Sequence, residues 1–252
     1  MAYLIFDNGK VFEGTSFGHE GSIDGELVFN TGMMGYPESL TDPSYSGQIL
    51  VITYPLVGNY GVAKPDRNNM DWPFESDKIH IKGLIISEYS EKNSHHSSVK
   101  SLSSWLKENK IPALSGIDTR MLTKHIRDNG NPTARISMDN QTAPKKLTPV
   151  NEIEKVSSKE RATFGEGDKT VVVIDMGCKN NIIRSLIERG LKVIRVPWND
   201  DLSGLDFDGV LISNGPGNPE FAGPTVKTIK SLFKKNIPTF GICMGNQVMA
   251  MA

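Results

Sequence analysis

Hydrophobic positions are arranged differently in the two halves of the chain. Up to about Asn140 the apolar stretches are short and mixed in character. Ala2–Phe6 and residues 10–13 flank Asn8-Gly9, a pair that favours the positive-φ turn of a β-hairpin. Residues 26–29 and 49–53 predict further strands, and 79–87 is a β-branched run broken by Gly83. Val99, Leu102, Trp105 and Leu106 share one face of a helix predicted over 99–107, with Ser97 or Ser98 as its cap. A second helix is predicted from its N-cap Asp118 to just before Gly130, with Met121, Leu122, His125 and Ile126 inward. This half reads as mixed α+β.

From Thr170 the pattern becomes regular. Residues 171–174 form a continuous β-branched run, as in a strand buried on both faces. A helix over 181–189 turns Ile182, Ile183, Leu186 and Ile187 inward and stops at Gly190. Strands follow at 192–196 and 209–213. Pro224 opens a helix carrying Val226, Ile229, Leu232 and Phe233. A strand at 239–242 and a helix from Gln247 complete the series. Strands alternating with helices predict a doubly wound parallel sheet. Between the halves, residues 140–167 combine Pro144, Pro149, several Lys and Glu residues and Gly165-Glu166-Gly167, the composition of a linker.

Composition narrows the function classes. The chain of 252 residues has 28 Lys and Arg against 29 Asp and Glu, a net charge of -1 that argues against a nucleic-acid footprint. No apolar run is long enough for a membrane span, and no basic region precedes the apolar N-terminus, so a signal peptide is not expected. Two cysteines, Cys178 and Cys243, cannot make a disulfide framework or a four-ligand zinc site. The expectation is a cytoplasmic protein with reduced thiols.

In parallel sheets, ligands bind beyond the carboxyl ends of the strands. Three loops stand there: Asp175-Met176-Gly177, Ser213-Asn214-Gly215-Pro216-Gly217-Asn218-Pro219, and Gly241-Ile242-Cys243-Met244-Gly245. The last has the form G-x-C-x-G between a strand and a helix, the thiol version of a nucleophile elbow. The helix N-terminus would favour a thiolate, and the Met244 N–H could donate to an oxyanion. The same turn equally suits a buried, inert cysteine. Gly215 and Gly217 would let backbone approach a ligand, or simply make a tight turn. Cys178 has no such surroundings and reads as structural. A cysteine nucleophile needs a base, yet the five histidines (His19, His80, His95, His96, His125) all precede the second half. No phosphate-binding G-x-x-x-x-G-K-[ST] loop is present, which leaves nucleotide or flavin binding by this chain unsupported.

With these motifs, the chain resembles the small, glutamine-hydrolysing subunit of carbamoyl phosphate synthase over essentially its whole length. In the first half the resemblance rests on Gly25, Val28-Phe29-Asn30-Thr31-Gly32-Met33 and Gly35-Tyr36. It continues through residues 40–48, Thr53-Tyr54-Pro55, Gly58-Asn59-Tyr60-Gly61 and Gly116-Ile117-Asp118-Thr119-Arg120. In the second half, 213–219 and 240–247 resemble the class I glutamine amidotransferase motifs.

The resemblance implies an α/β chain in three parts. These are an N-terminal α+β small-subunit domain (1–140), a linker (141–169), and an incomplete doubly wound, flavodoxin-like class I amidotransferase domain (170–252). It implies Cys243 as the nucleophile on the glutamine side-chain amide, with Met244 and Gly217 flanking the oxyanion. Gln247, Gly215 and Ser44 would hold the substrate, Ser44 reaching it from the N-terminal domain. It implies a large synthetase subunit as partner, carrying the ATP and Mg²⁺ chemistry, with no cofactor on this chain. The product would feed pyrimidine and arginine synthesis. Asn246 stands where the family has His, and Asn218 where it has Asp. The family's triad His and Glu lie well beyond the nucleophile, so the sequence reads as C-terminally incomplete. The alternative is a glutaminase-inactive subunit that only organises the large one.

Overall fold

The computed structural model describes residues 1–70, 72–140 and 142–252. Its contacts divide the chain into two compact units. The first is made of Met1–Thr41, Gly47–Asp66 and Lys78–Pro149. The second is made of Asp42–Ser46, Arg67–Asp77 and Val150–Ala252.

The first unit is built on β1 (Ala2–Phe6), β2 (Val11–Ser16), β3 (Ile23–Asn30), β4 (Gln48–Ile52), β5 (Gly83–Ile85), β6 (Ala113–Ser115) and β7 (Thr133–Ser137). They close into a barrel in the order β1-β7-β3-β4-β5-β6-β2. Closure leaves the barrel no open sheet edge. The β1–β2 hairpin turns at Asn8-Gly9 as predicted, with Gly9 at φ 83° and the Asn8 side chain accepting from Lys10 N at 3.1 Å. Short helices α1 (Tyr36–Thr41) and α2 (Leu102–Glu108) and the longer α3 (Thr119–Asn129) complete it. Asp118 caps α3 through Met121 N at 2.9 Å, and Leu122 and Ile126 join Leu4, Phe6, Leu27, Ile49 and Ile136 in one core.

Three details depart from the predicted pattern. The helix expected over 99–107 starts at Leu102, capped by Ser101, because the Ser98 hydroxyl is taken by Asn93 at 2.6 Å. Val99 lies instead in a short strand, exposed. Met121 is also exposed, so the inner face of α3 is narrower than expected.

The second unit holds β8 (Ala162–Phe164), β9 (Lys169–Asp175), β10 (Leu191–Pro197), β11 (Gly209–Ile212) and β12 (Thr239–Gly241) in one sheet. The order is β8-β10-β9-β11-β12, parallel except for the antiparallel edge strand β8. Four helices accompany it: α4 (Glu152–Val156), α5 (Asn180–Ile187), α6 (Gly223–Lys234) and α7 (Met244–Met251). Successive residues of a strand point to opposite faces. Val172, Ile174, Val210 and Ile212 pack with Ile229 and Leu232 of α6 and Met244 and Val248 of α7. Val173, Val193 and Leu211 pack with Ile183 of α5. The sheet is therefore buried on both faces, which explains its continuous apolar runs. Phe233, expected inward on α6, is exposed.

The stretch expected as a linker over 141–169 is largely part of this unit. Gln141, its first residue, lies outside the described residues. From Val150 the chain packs with the second unit: Asn151 caps α4, Ile153 is buried, and β8 pairs with β10. Polar composition concealed this, because one buried isoleucine and one edge strand are enough to anchor the segment. Arg161 ties it further, with Nε and Nη2 donating to both Asp200 oxygens at 2.8 and 2.7 Å.

That fork holds the Asp200 carboxyl below its ordinary pKa, through the Arg161 hydrogen bonds first. A depressed folded pKa contributes stability above the unfolded value, about 3.9, and loses it as pH falls through the folded value. Asp200→Asn is expected to lower the urea midpoint at pH 7. The gap from the parent should close as pH drops below about 4. A gap that stayed constant with pH would sink this reading of the pair.

Candidate active site

The strand β12 ends at Gly241 and the helix α7 begins at Met244, leaving Ile242 and Cys243 to make the turn. Helix α7 thus starts three residues before the predicted Gln247. Cys243 is the N-cap, with φ 52° and ψ −109°. A non-glycine residue at positive φ is strained, and such strain persists only where surrounding structure enforces it. Here Ile242 N donates to Ile212 O at 3.0 Å and Gly245 N to Ile242 O at 2.9 Å, pinning both sides of the turn.

Gly245 is required by a close approach. A Cβ at this position would lie 2.2 Å from Ile212 O and 3.0 Å from Ser213 O. The first turn of α7 therefore lies directly on the carboxyl end of β11, and the two loops following β11 and β12 are neighbours. Cys243 is exposed, which removes the alternative of a buried structural thiol. Its side chain makes no capping hydrogen bond. It stands at the N-terminus of α7.

Cys178 is the opposite case. It is buried, and desolvation, then the Asp175 carboxylate, raises its thiol well above the ordinary value. Of these two thiols, iodoacetamide at pH 8 is expected to label Cys243 and spare Cys178, as read by peptide mass spectrometry. Equal labelling would contradict the assignment.

The loop after β11 is held from beneath. Ser213 is fully buried; its Oγ accepts from Met176 N at 2.9 Å and donates to Asn214 O at 2.8 Å. The Asn214 side-chain carbonyl accepts from Lys179 N at 3.2 Å. Gly215 is buried against Met176 O, only 2.3 Å from where a Cβ would stand. Gly217 is exposed at φ 78°. Asn218 caps the following turn through Glu220 N at 3.0 Å, a role its amide fills as well as a carboxylate would. Asn246 and Gln247 are exposed on the first turn of α7, Gln247 N donating to Cys243 O at 3.2 Å.

Ser44 differs from its predicted place. It packs with the second unit, not with the barrel. Its Oγ accepts from Asn214 Nδ2 at 2.8 Å, one residue before Gly215. The turn that carries it is anchored by Asp42, which accepts from Ser44 N at 2.9 Å and pairs with Lys179 at 3.2 Å.

Pattern reading missed the groups that hold this turn. Lys179 also reaches Glu75 at 3.5 Å, and Glu75 faces Arg184 at 3.6 Å. Burial opposes the Lys179 charge, but Asp42 and Glu75 outweigh it and raise its pKa. Glu75 and Arg184 are buried charges, rarely found without a partner. A lysine, an asparagine and an arginine on the buried side of the helix that follows β9 were the available signal. No group of three or more His, Cys, Asp or Glu side chains suited to a metal ion occurs among the described residues. No helix among them is long and apolar enough to cross a membrane.

Comparison with known proteins bears on both units. A family model described as carbamoyl-phosphate synthase small chain, CPSase domain, matches residues 4–136. One for glutamine amidotransferase class-I matches residues 172–252. The chain is 47% identical over 263 residues to the protein of Aquarana catesbeiana named carbamoyl-phosphate synthase [ammonia], mitochondrial, with 100% of this chain and 17% of that protein aligned. It is 45% identical to the multifunctional protein CAD of Squalus acanthias, covering 100% of this chain and 12% of that one. It is 42% identical to the multifunctional protein URA2 of Saccharomyces cerevisiae, covering 100% and 13%. The chain therefore spans 12–17% of the length of these relatives. Among solved structures, an aminopeptidase from Aneurinibacillus aligns with 84% of this chain and 56% of its own at 12% identity, and its TM-score of 0.33 carries no argument.

Proposed function

Since the chain belongs to the carbamoyl-phosphate synthase small-chain family, we propose that it is the glutamine-hydrolysing region of a carbamoyl phosphate synthase. The observation that carries the proposal is Cys243: an exposed thiol on a strained elbow at a helix N-terminus. Its thiolate attacks the side-chain carbonyl carbon of glutamine. The oxygen takes the negative charge, facing the backbone N–H groups of Met244 and Gly217. The C–N bond then breaks, and the nitrogen leaves as ammonia, taking the proton that the Cys243 thiol gave up when it became the thiolate. The γ-glutamyl thioester is cleaved by water, which breaks the C–S bond and returns the thiol with glutamate. Ser44, Gly215 and Gln247 hold the substrate.

The second unit contains no histidine. The proposal assigns the base to none of the five histidines of this chain, all of which lie in the first unit. It assigns the ammonia to a large synthetase region that binds ATP and Mg²⁺, with carbamoyl phosphate used for pyrimidine and arginine synthesis. The strand order β10-β9-β11-β12, with helices on both faces, supports reading the second unit as doubly wound and flavodoxin-like.

One observation favours a second reading. The name of the Aquarana catesbeiana relative specifies ammonia. In that reading the region is glutaminase-inactive and organises the synthetase alone. Glutamate release from glutamine by the full-length protein separates the two. Release with a trappable γ-glutamyl thioester on Cys243 supports the first, and absence of both supports the second.

A further inference from the structure

Helix α4 lies in a stretch that neither matched family segment includes, yet it sends a carboxylate against the Ser44 turn. The Glu152 side chain is 13% exposed. Its Oε2 accepts from the Ser46 hydroxyl at 2.7 Å, and its Oε1 accepts from Lys155 Nζ at 2.8 Å. Its stem runs beside the other loop of the site: Glu152 Cβ and Cγ lie 3.5 and 3.8 Å from where a Cβ on Gly217 would stand. Glu152 thus bonds a residue two positions from Ser44 and fills the space on the side-chain side of Gly217.

Side-chain contacts that tie the turn Asp42–Ser46 to the rest of the second unit include three that bear on the site. Asp42 pairs with Lys179, Ser44 accepts from Asn214, and Ser46 donates to Glu152. The first two attach its beginning and middle. Only the third attaches its end among these, and it links that end to the Gly217 side of the site. A short charge-assisted hydrogen bond is both stronger and more directional than a neutral one, and the Lys155 contact fixes the carboxylate that makes it.

We propose that Glu152 is a positioning residue for glutamine binding: it clamps the Ser44 turn to the Gly217 loop through Ser46. The inference rests on the glutamine chemistry proposed above. Without the clamp, the Ser44 hydroxyl and the Gly217 N–H lose their fixed separation. Substrate then binds less well, while the thiol chemistry at Cys243 proceeds once it is bound.

The test is steady-state glutamate release by the full-length protein carrying Glu152→Ala, Glu152→Gln, Ser46→Ala, or Glu152→Ala with Ser46→Ala. The single alanine variants are expected to raise KM for glutamine about tenfold, with kcat changed by less than about threefold. The double variant should be no worse than the worse single one, because both remove the same bond. Glu152→Gln keeps an acceptor for the Ser46 hydroxyl but not its charge, and should raise KM clearly less than Glu152→Ala. An unchanged KM in the alanine variants, additive losses in the double variant, or a kcat loss that exceeds the KM effect would overturn the inference. Should Glu152→Ala fail to fold, Ser46→Ala and Glu152→Gln decide the matter. A parent protein that releases no glutamate would instead overturn the proposed function itself.

Discussion

Replacing Cys243 by serine is expected to lower glutamate release from glutamine by about a thousandfold or more in the full-length protein. A thiol is partly ionised near neutral pH and is intrinsically nucleophilic; a hydroxyl at the same place depends wholly on a base. The serine variant should fold normally, since Cys243 is exposed and its side chain makes no capping hydrogen bond. A serine hydroxyl even suits an N-cap. The change therefore isolates chemistry from stability. The measurement is glutamate formed per enzyme per second, together with the thermal midpoint of each protein. Undiminished release with an unchanged midpoint would remove Cys243 from the mechanism and leave the elbow a structural turn.

The second large effect is expected at Gly245. An alanine Cβ there would stand 2.2 Å from Ile212 O, 2.8 Å from Ile212 C and 3.0 Å from Ser213 O, all backbone atoms that cannot rotate away. The first turn of α7 would have to lift from β11. Overpacking of this kind costs about 1–3 kcal/mol and at times more, to be read from the shift of the urea midpoint. The functional loss should exceed the loss of stability, because a displacement of about 1 Å at a reacting group can cost a hundredfold in rate. Gly245→Ala is thus expected to lose about a hundredfold in kcat under conditions where it remains folded. An active variant of ordinary stability would show that the elbow does not depend on its contact with β11.

Much of the frame around Cys243 was legible in the sequence. The β-branched run of β9 marked a strand buried on both faces, and β10 and β11 were expected as the strands beside it. The hydrophobic spacing of α5 and α6 marked their helices. Asn8-Gly9 marked the hairpin, and Asp118 the start of α3. Each depends on neighbours within a few residues, where sterics and local hydrogen bonds act. The errors have the same character. Val99 satisfies helical spacing and Ser97 or Ser98 was expected as the cap, but the Asn93 contact engaged Ser98 while Ser101 capped the helix. Phe233 and Met121 fit an amphipathic stripe that turned out narrower than the pattern allowed.

The site divides along the same line. The sequence by itself determined a cysteine between two glycines at a strand–helix junction, and a glycine- and proline-rich loop after the preceding strand. These patterns suffice because an elbow is made of consecutive residues. Only the tertiary structure decided that Cys243 is exposed, that Gly245 rests on Ile212, and that the Ser44 turn packs with the second unit. It also decided that a carboxylate from an apparent linker reaches Ser46. Some of these contacts join positions more than a hundred residues apart, as Ser46 and Glu152 do. No sequence period encodes them, because they depend on which surfaces meet after the local elements have formed.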